Sequence, residues 1–62
     1  MSFKPRHIAI LGSTGSIGTQ ALDVVREQQG RFVVEVLSSN NKVDLLIEQA
    51  REFQPNAVVI GD

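Results

Sequence analysis

The sequence predicts an α/β fold in which three parallel strands alternate with two helices, and three observations carry that prediction. Short β-branched runs fall at residues 7–11, 32–37 and 57–60, each bounded by glycine, proline or polar residues. Between them lie two stretches whose apolar residues return at helical spacing. The first run ends in HIAILGSTGSIG, which places its glycines as Gly12-x-x-Gly15-x-x-Gly18. That is the spacing of a strand-to-helix turn that admits a dinucleotide. Gly12 permits the tight turn, Gly15 has no side chain to hold a diphosphate away from the backbone, and Gly18 lets the helix pack against the strand. The helix then points unpaired N–H groups and its positive dipole end at the phosphates. A glycine-rich turn used only for packing is the plainer reading, since doubly wound proteins also use such turns without ligand.

Taken in order, residues 1–6 are a polar lead-in, and residues 7–11 form the first strand, with His7 at its edge. His7 is the only histidine and cysteine is absent, so the residue types supply no metal-ligand set around it. The first helix is expected over residues 16–29, with Ile17, Ala21, Leu22, Val24 and Val25 towards the sheet and Asp23, Arg26 and Glu27 outward. Gly30 stops it in the left-handed conformation. Residues 32–37 form the second strand, with Glu35 as its one charged interruption.

Residues 38–42, SSNNK, follow the glycine turn by about 20 residues, where a dinucleotide fold reads the adenosine ribose. NAD sites place Asp or Glu there, whereas this chain offers serines, asparagines and Lys42. These donate to a 2′-phosphate without repelling it, so the stretch leans towards NADP. It also reads as a polar loop in which Asn41 caps the next helix. In that helix Val43, Leu46, Ile47, Ala50 and Phe53 define one face, ending before Pro55, with Glu48, Arg51 and Glu52 in solvent. Residues 57–60 read as a third, buried strand.

The whole is a Rossmann-like βαβαβ half of a doubly wound parallel sheet, with spatial order 3-2-1. Right-handed crossovers put both helices on one face. The other face is then bare, although parallel sheets are normally covered on both, so the chain reads as a fragment of a larger enzyme. The isolated segment is expected to self-associate or to bind an apolar dye. A compact monomer by sedimentation, with no dye binding, would count against that reading.

Composition narrows the function classes. At 62 residues and formal charge −1, the chain is at most one domain, and nothing in its charge calls for nucleic acid or an anionic membrane surface. A domain this small removes only about 60% of its unfolded surface from water. There is no signal-peptide h-region and no apolar run near the roughly 20 residues of a membrane span; a cytoplasmic protein is expected. A P-loop is excluded because Ile17-Gly18-Thr19 stands where Gly-Lys-Ser/Thr would be required. A nucleophile elbow is excluded because neither Ser13 nor Ser16 is flanked by glycines at the necessary spacing.

The run ILGSTGSIGTQALDVVRE, followed by FVVEVLSSNNKVDLLIEQAREFQPNAVVI, closely resembles the amino-terminal segment of the bacterial 1-deoxy-D-xylulose 5-phosphate reductoisomerase family. The resemblance covers nearly all of the chain from His7 onward. It implies that residues 1–62 are the amino-terminal part of an NADP-binding Rossmann domain, with catalytic and carboxy-terminal domains outside this chain. It also implies that Thr14, Gly15, Ser16 and Ile17 contact NADPH, with a second contact segment at Asn40, Asn41 and Lys42. The usual family pattern in that segment is Gly, a variable residue, then Asn; this chain has Asn40 and Lys42 in the first and third places. For the whole enzyme, the resemblance implies conversion of a phosphosugar, 1-deoxy-D-xylulose 5-phosphate, to 2-C-methyl-D-erythritol 4-phosphate for isoprenoid synthesis. It further implies a divalent metal, Mg²⁺ or Mn²⁺, and a homodimer. No catalytic or metal-binding residue is expected within this segment, which alone should be inactive. Two other readings stand beside this one: a different NADP-dependent dehydrogenase of the semialdehyde type, and a non-catalytic nucleotide-binding module.

Overall fold

The computed structural model describes residues 4–61; Met1, Ser2 and Phe3 of the expected lead-in, and Asp62, lie outside the described residues. The chain runs β1 (Arg6–Ile10), α1 (Ser16–Glu27), β2 (Phe32–Ser39), α2 (Val43–Phe53) and β3 (Ala57–Ile60). The strands form one parallel sheet with β2 between β1 and β3, which is the 3-2-1 order expected. Parallel strands need crossovers, and α1 and α2 provide them.

Both helices lie on one face and are tied together there by Arg26. Its guanidinium meets Glu52 through Nε at 2.5 Å and Nη2 at 2.8 Å, and Asp23 through Nη1 at 2.6 Å. It also sits 5.1 Å from the Phe53 ring centre. Arg26 therefore reaches across to α2 instead of pointing only outward, and the hydrogen bond from Arg26 holds the Glu52 carboxyl below its ordinary range. Beneath the pair, Ile10, Leu22, Val34, Leu37 and Leu46 form the core, with Ile8, Ala21, Val25 and Phe53 packed against it.

Several expected boundaries and faces change, each for a local reason. Leu11 leaves the first strand for the turn, and Arg6 joins the strand, its N–H donating a hydrogen bond to the Arg31 carbonyl at 2.8 Å. α1 ends at Glu27, where Gln28 N–H closes on the Val24 carbonyl, and Gly30 follows at φ +83°. Its sheet-facing stripe is Gly18, Ala21, Leu22 and Val25, so Ile17 and Val24 stand on the flank, 82% and 50% exposed. On α2 the buried pair is Leu46 and Gln49, while Val43 and Ile47 sit on the β3 side, each 45% exposed. β3 is exposed along its length, not buried, because it has one neighbouring strand and α2 covers it only in part. α2 starts without a side-chain cap from Asn41; Ser39 Oγ instead accepts the Lys42 N–H at 3.1 Å.

Glu35 has a larger role than its place in the sequence suggested. Ile8 pairs with Val34 and Ala9 with Val36, so Glu35 is the extra residue of a β-bulge. The bulge changes the phase of β2, which is why Val34 and Leu37, three positions apart, are both in the core. Glu35 accepts hydrogen bonds from His7 Nδ1 and from Asn56 Nδ2. These two bonds hold its carboxyl below the usual glutamate range. A pKa lower in the folded state gives stability that is complete above the unfolded value and is lost as pH falls through the folded one. Glu35→Gln should thus lower the melting temperature at neutral pH, by a margin that shrinks to nothing on acidification through the carboxylate range. A margin independent of pH would contradict this role.

The face away from the helices exposes Val33 and Val59, at 36% and 52%, as expected of a sheet whose helices lie on one side.

Candidate functional site

The carboxyl ends of β1 and β2 lie side by side, and the two segments singled out in the sequence meet there. Gly12 turns the chain at φ +70°. Gly15 then sits in extended backbone at φ −78° and ψ 175° as the N-cap of α1, with no side chain capping the helix. The first amide groups of α1 therefore keep their hydrogen-bonding capacity for a ligand. Gly18 faces back into the turn: a Cβ there would lie 2.3 Å from the Gly12 carbonyl oxygen and 2.6 Å from Ser13 Cα. A Cβ on Gly15 would meet nothing closer than that same oxygen, at 3.5 Å. Gly18 is thus needed by the fold, whereas Gly15 leaves open space above the turn. An open cleft along the free edge of β1 is lined by Leu11, Gly12, Gly15, Ser16, Ile17 and Ala21. Ile17, misplaced by the helical count, forms part of this cleft.

The turn is held from behind by β2 and α2. Ser13 N–H donates to the Ser38 carbonyl at 2.8 Å, and Gly12 N–H to Ser38 Oγ at 2.9 Å. Thr14 Oγ1 and Ser39 Oγ are 2.8 Å apart. Ser38 and Ser39, read from the sequence as loop donors to a 2′-phosphate, belong instead to β2 and engage their hydroxyls in this scaffold. That leaves Asn40, Asn41 and Lys42 as the exposed part of the second segment. Thr14 is half-buried, and Ser16 and Ile17 are exposed at the start of α1.

Two site-supporting residues escaped the sequence reading. Ser13 is fully buried and Gln49 is 5% exposed. Ser13 Oγ donates to Gln49 Oε1 at 2.7 Å, and Gln49 Nε2 donates to the Ser13 carbonyl at 2.9 Å. A glutamine three positions after Leu46, on a stripe otherwise apolar, was the available signal.

Chemically, the arrangement offers backbone donors and a helix dipole to a diphosphate at the glycine turn. One strand away, it offers amide and ammonium donors to a further anionic group. Among the described residues no group of three His, Cys, Asp or Glu side chains is placed to hold a metal ion, and no helix is long and apolar enough to cross a membrane.

The sequence profile of the 1-deoxy-D-xylulose 5-phosphate reductoisomerase family matches residues 8–62. The chain is 63% identical over 59 residues to the 1-deoxy-D-xylulose 5-phosphate reductoisomerase of Bacteroides fragilis, an alignment covering 95% of this chain and 15% of that protein. For the Phocaeicola vulgatus protein of the same name the identity is 61% over 57 residues, covering 92% and 15%. Among solved structures, the fold matches the 1-deoxy-D-xylulose 5-phosphate reductoisomerase from Zymomonas mobilis in complex with NADPH. The TM-score is 0.90 and the identity 36%, covering 95% of this chain and 16% of that one. The chain spans about 15% of the length of these curated relatives.

Proposed function

This chain belongs to the 1-deoxy-D-xylulose 5-phosphate reductoisomerase family, and on that premise we propose that residues 1–62 are the amino-terminal part of its NADPH-binding domain. The observation that carries the reading is the uncapped amino end of α1, delivered by Gly12, Gly15 and Gly18 to the free edge of the sheet. Thr14, Gly15, Ser16 and Ile17 hold the cofactor diphosphate, chiefly through backbone amides that need no side chain in the way. Asn40, Asn41 and Lys42 receive the adenosine ribose and its 2′-phosphate, where the Lys42 ammonium favours NADPH over NADH. The bound nicotinamide supplies hydride. What this segment contributes is orientation, by fixing the adenosine half of the cofactor against a rigid turn.

In the whole protein this domain serves conversion of 1-deoxy-D-xylulose 5-phosphate to 2-C-methyl-D-erythritol 4-phosphate, in a cytoplasmic homodimer. The divalent metal of that reaction, Mg²⁺ or Mn²⁺, has no matching donor set among the described residues. Family membership favours this reading over a semialdehyde-type dehydrogenase or a non-catalytic module. The test is an assay of the full-length protein for oxidation of NADPH that depends on 1-deoxy-D-xylulose 5-phosphate and a divalent cation. Turnover with both present supports the reading; a full-length, folded protein inert towards that substrate would sink it.

A further inference from the structure

We infer that Gln49 is a positioning residue that sets the glycine turn against the second cofactor segment, an inference that rests on the NADPH reading above. Both segments depend on α2. Lys42 is its N-cap, and Gln49, further along the same helix, grips Ser13 inside the turn through both amide atoms. A helix of this length is stiff, so a fixed point at each place turns α2 into a spacer between the diphosphate and the ribose ends of the site. The grip is buried, with Ser13 fully enclosed and Gln49 5% exposed, so water does not compete for it. It also acts on backbone, because Gln49 Nε2 binds the Ser13 carbonyl directly beside Thr14 and Gly15. The second segment has a further tether that does not involve Gln49: Lys42 N–H donates to Ser39 Oγ, the hydroxyl that also meets Thr14 Oγ1 of the turn.

These separate tethers make different predictions for different ligands. NADPH must satisfy both segments at once, whereas adenosine 2′-monophosphate reaches only the second. In the full-length protein, Gln49→Leu should weaken NADPH binding on the order of tenfold, the effect of one lost buried hydrogen-bonding grip. It should leave adenosine 2′-monophosphate, measured by competition with NADPH, within about twofold of its original affinity. Ser13→Ala, a milder change that keeps the bond to the Ser13 carbonyl, should give a smaller loss with the same selectivity. The double variant should be only slightly worse than Gln49→Leu, because the bond between the Ser13 hydroxyl and Gln49 is already lost and only the longer contact of that hydroxyl with the Ser38 carbonyl, at 3.2 Å, remains to be removed. Unchanged NADPH affinity in both single variants would overturn the inference, as would equal weakening of the two ligands, which would make Gln49 a residue of the fold alone. Absence of NADPH binding by the unaltered protein would instead remove the cofactor reading, and the inference with it.

Discussion

Gly18→Ala should destabilise the nucleotide-binding domain by roughly 3 kcal/mol, at the upper end of what overpacking a closed site costs. In an ordinary helix the same change is favourable by about 1 kcal/mol, because alanine is the better helix former. The sign reverses here because the new methyl would stand 2.3 Å from the Gly12 carbonyl oxygen and 2.6 and 2.9 Å from two backbone atoms of Ser13. None of these atoms can rotate away as a side chain could. Ser13 is further pinned by Ser38 and Gln49. Gly12→Ala is the informative control. Its Cβ would meet nothing within 4 Å, but its backbone lies at φ +70°, so its cost is about 1–2 kcal/mol of backbone strain alone. Denaturant titration of the full-length protein should rank Gly18→Ala well below Gly12→Ala in stability. The reverse ranking would mean that α1 does not pack on the turn in this way.

Gly15→Val should do the opposite: leave the fold largely intact and remove cofactor binding. The Gly15 backbone is extended, a conformation open to any residue, and its Cβ would make only an ordinary contact at 3.5 Å. Loss of a glycine at the N-cap costs about 1 kcal/mol at most. In the proposed site, a branched side chain there fills the space through which phosphate oxygens would approach to hydrogen-bonding distance of the backbone amides. Each charge-assisted bond lost is worth about 1.5–3 kcal/mol, so losing two corresponds to at least about a hundredfold in NADPH affinity. Calorimetric titration of the variant alongside its melting curve separates the two effects. A folded Gly15→Val protein that keeps its NADPH affinity would contradict the role given to this turn.

The contrast between these two glycines shows how much the sequence could disclose. The Gly-x-x-Gly-x-x-Gly spacing located the turn and assigned each glycine a task, and the short apolar runs between Gly30, Pro55 and the polar loops located every element within two residues at each end. What spacing could not reveal was phase and polar burial. The bulge at Glu35 adds a residue to β2 without any turn-forming residue to announce it, and so moves Leu37 and Ser39 to the buried side. Ile17 and Val24 fit a broad apolar stripe on α1, yet close packing at Gly18 rotates the helix so that they fall on its flank. Ser13 and Gln49 are polar and far apart in sequence, and only the folded chain shows that each satisfies the other. The same holds for Ser38 and Ser39, whose hydroxyls are taken up inside the scaffold, leaving Asn40, Asn41 and Lys42 as the exposed part of that segment.

The most direct measurement of the central claim is parallel titration of the full-length protein with NADPH and NADH. The glycine turn and the segment containing Lys42 together predict saturable binding of NADPH, with NADH bound more weakly because it lacks the 2′-phosphate. Equal affinity for the two would remove the role of Asn40, Asn41 and Lys42, and no binding of either would leave Gly12, Gly15 and Gly18 as a packing turn.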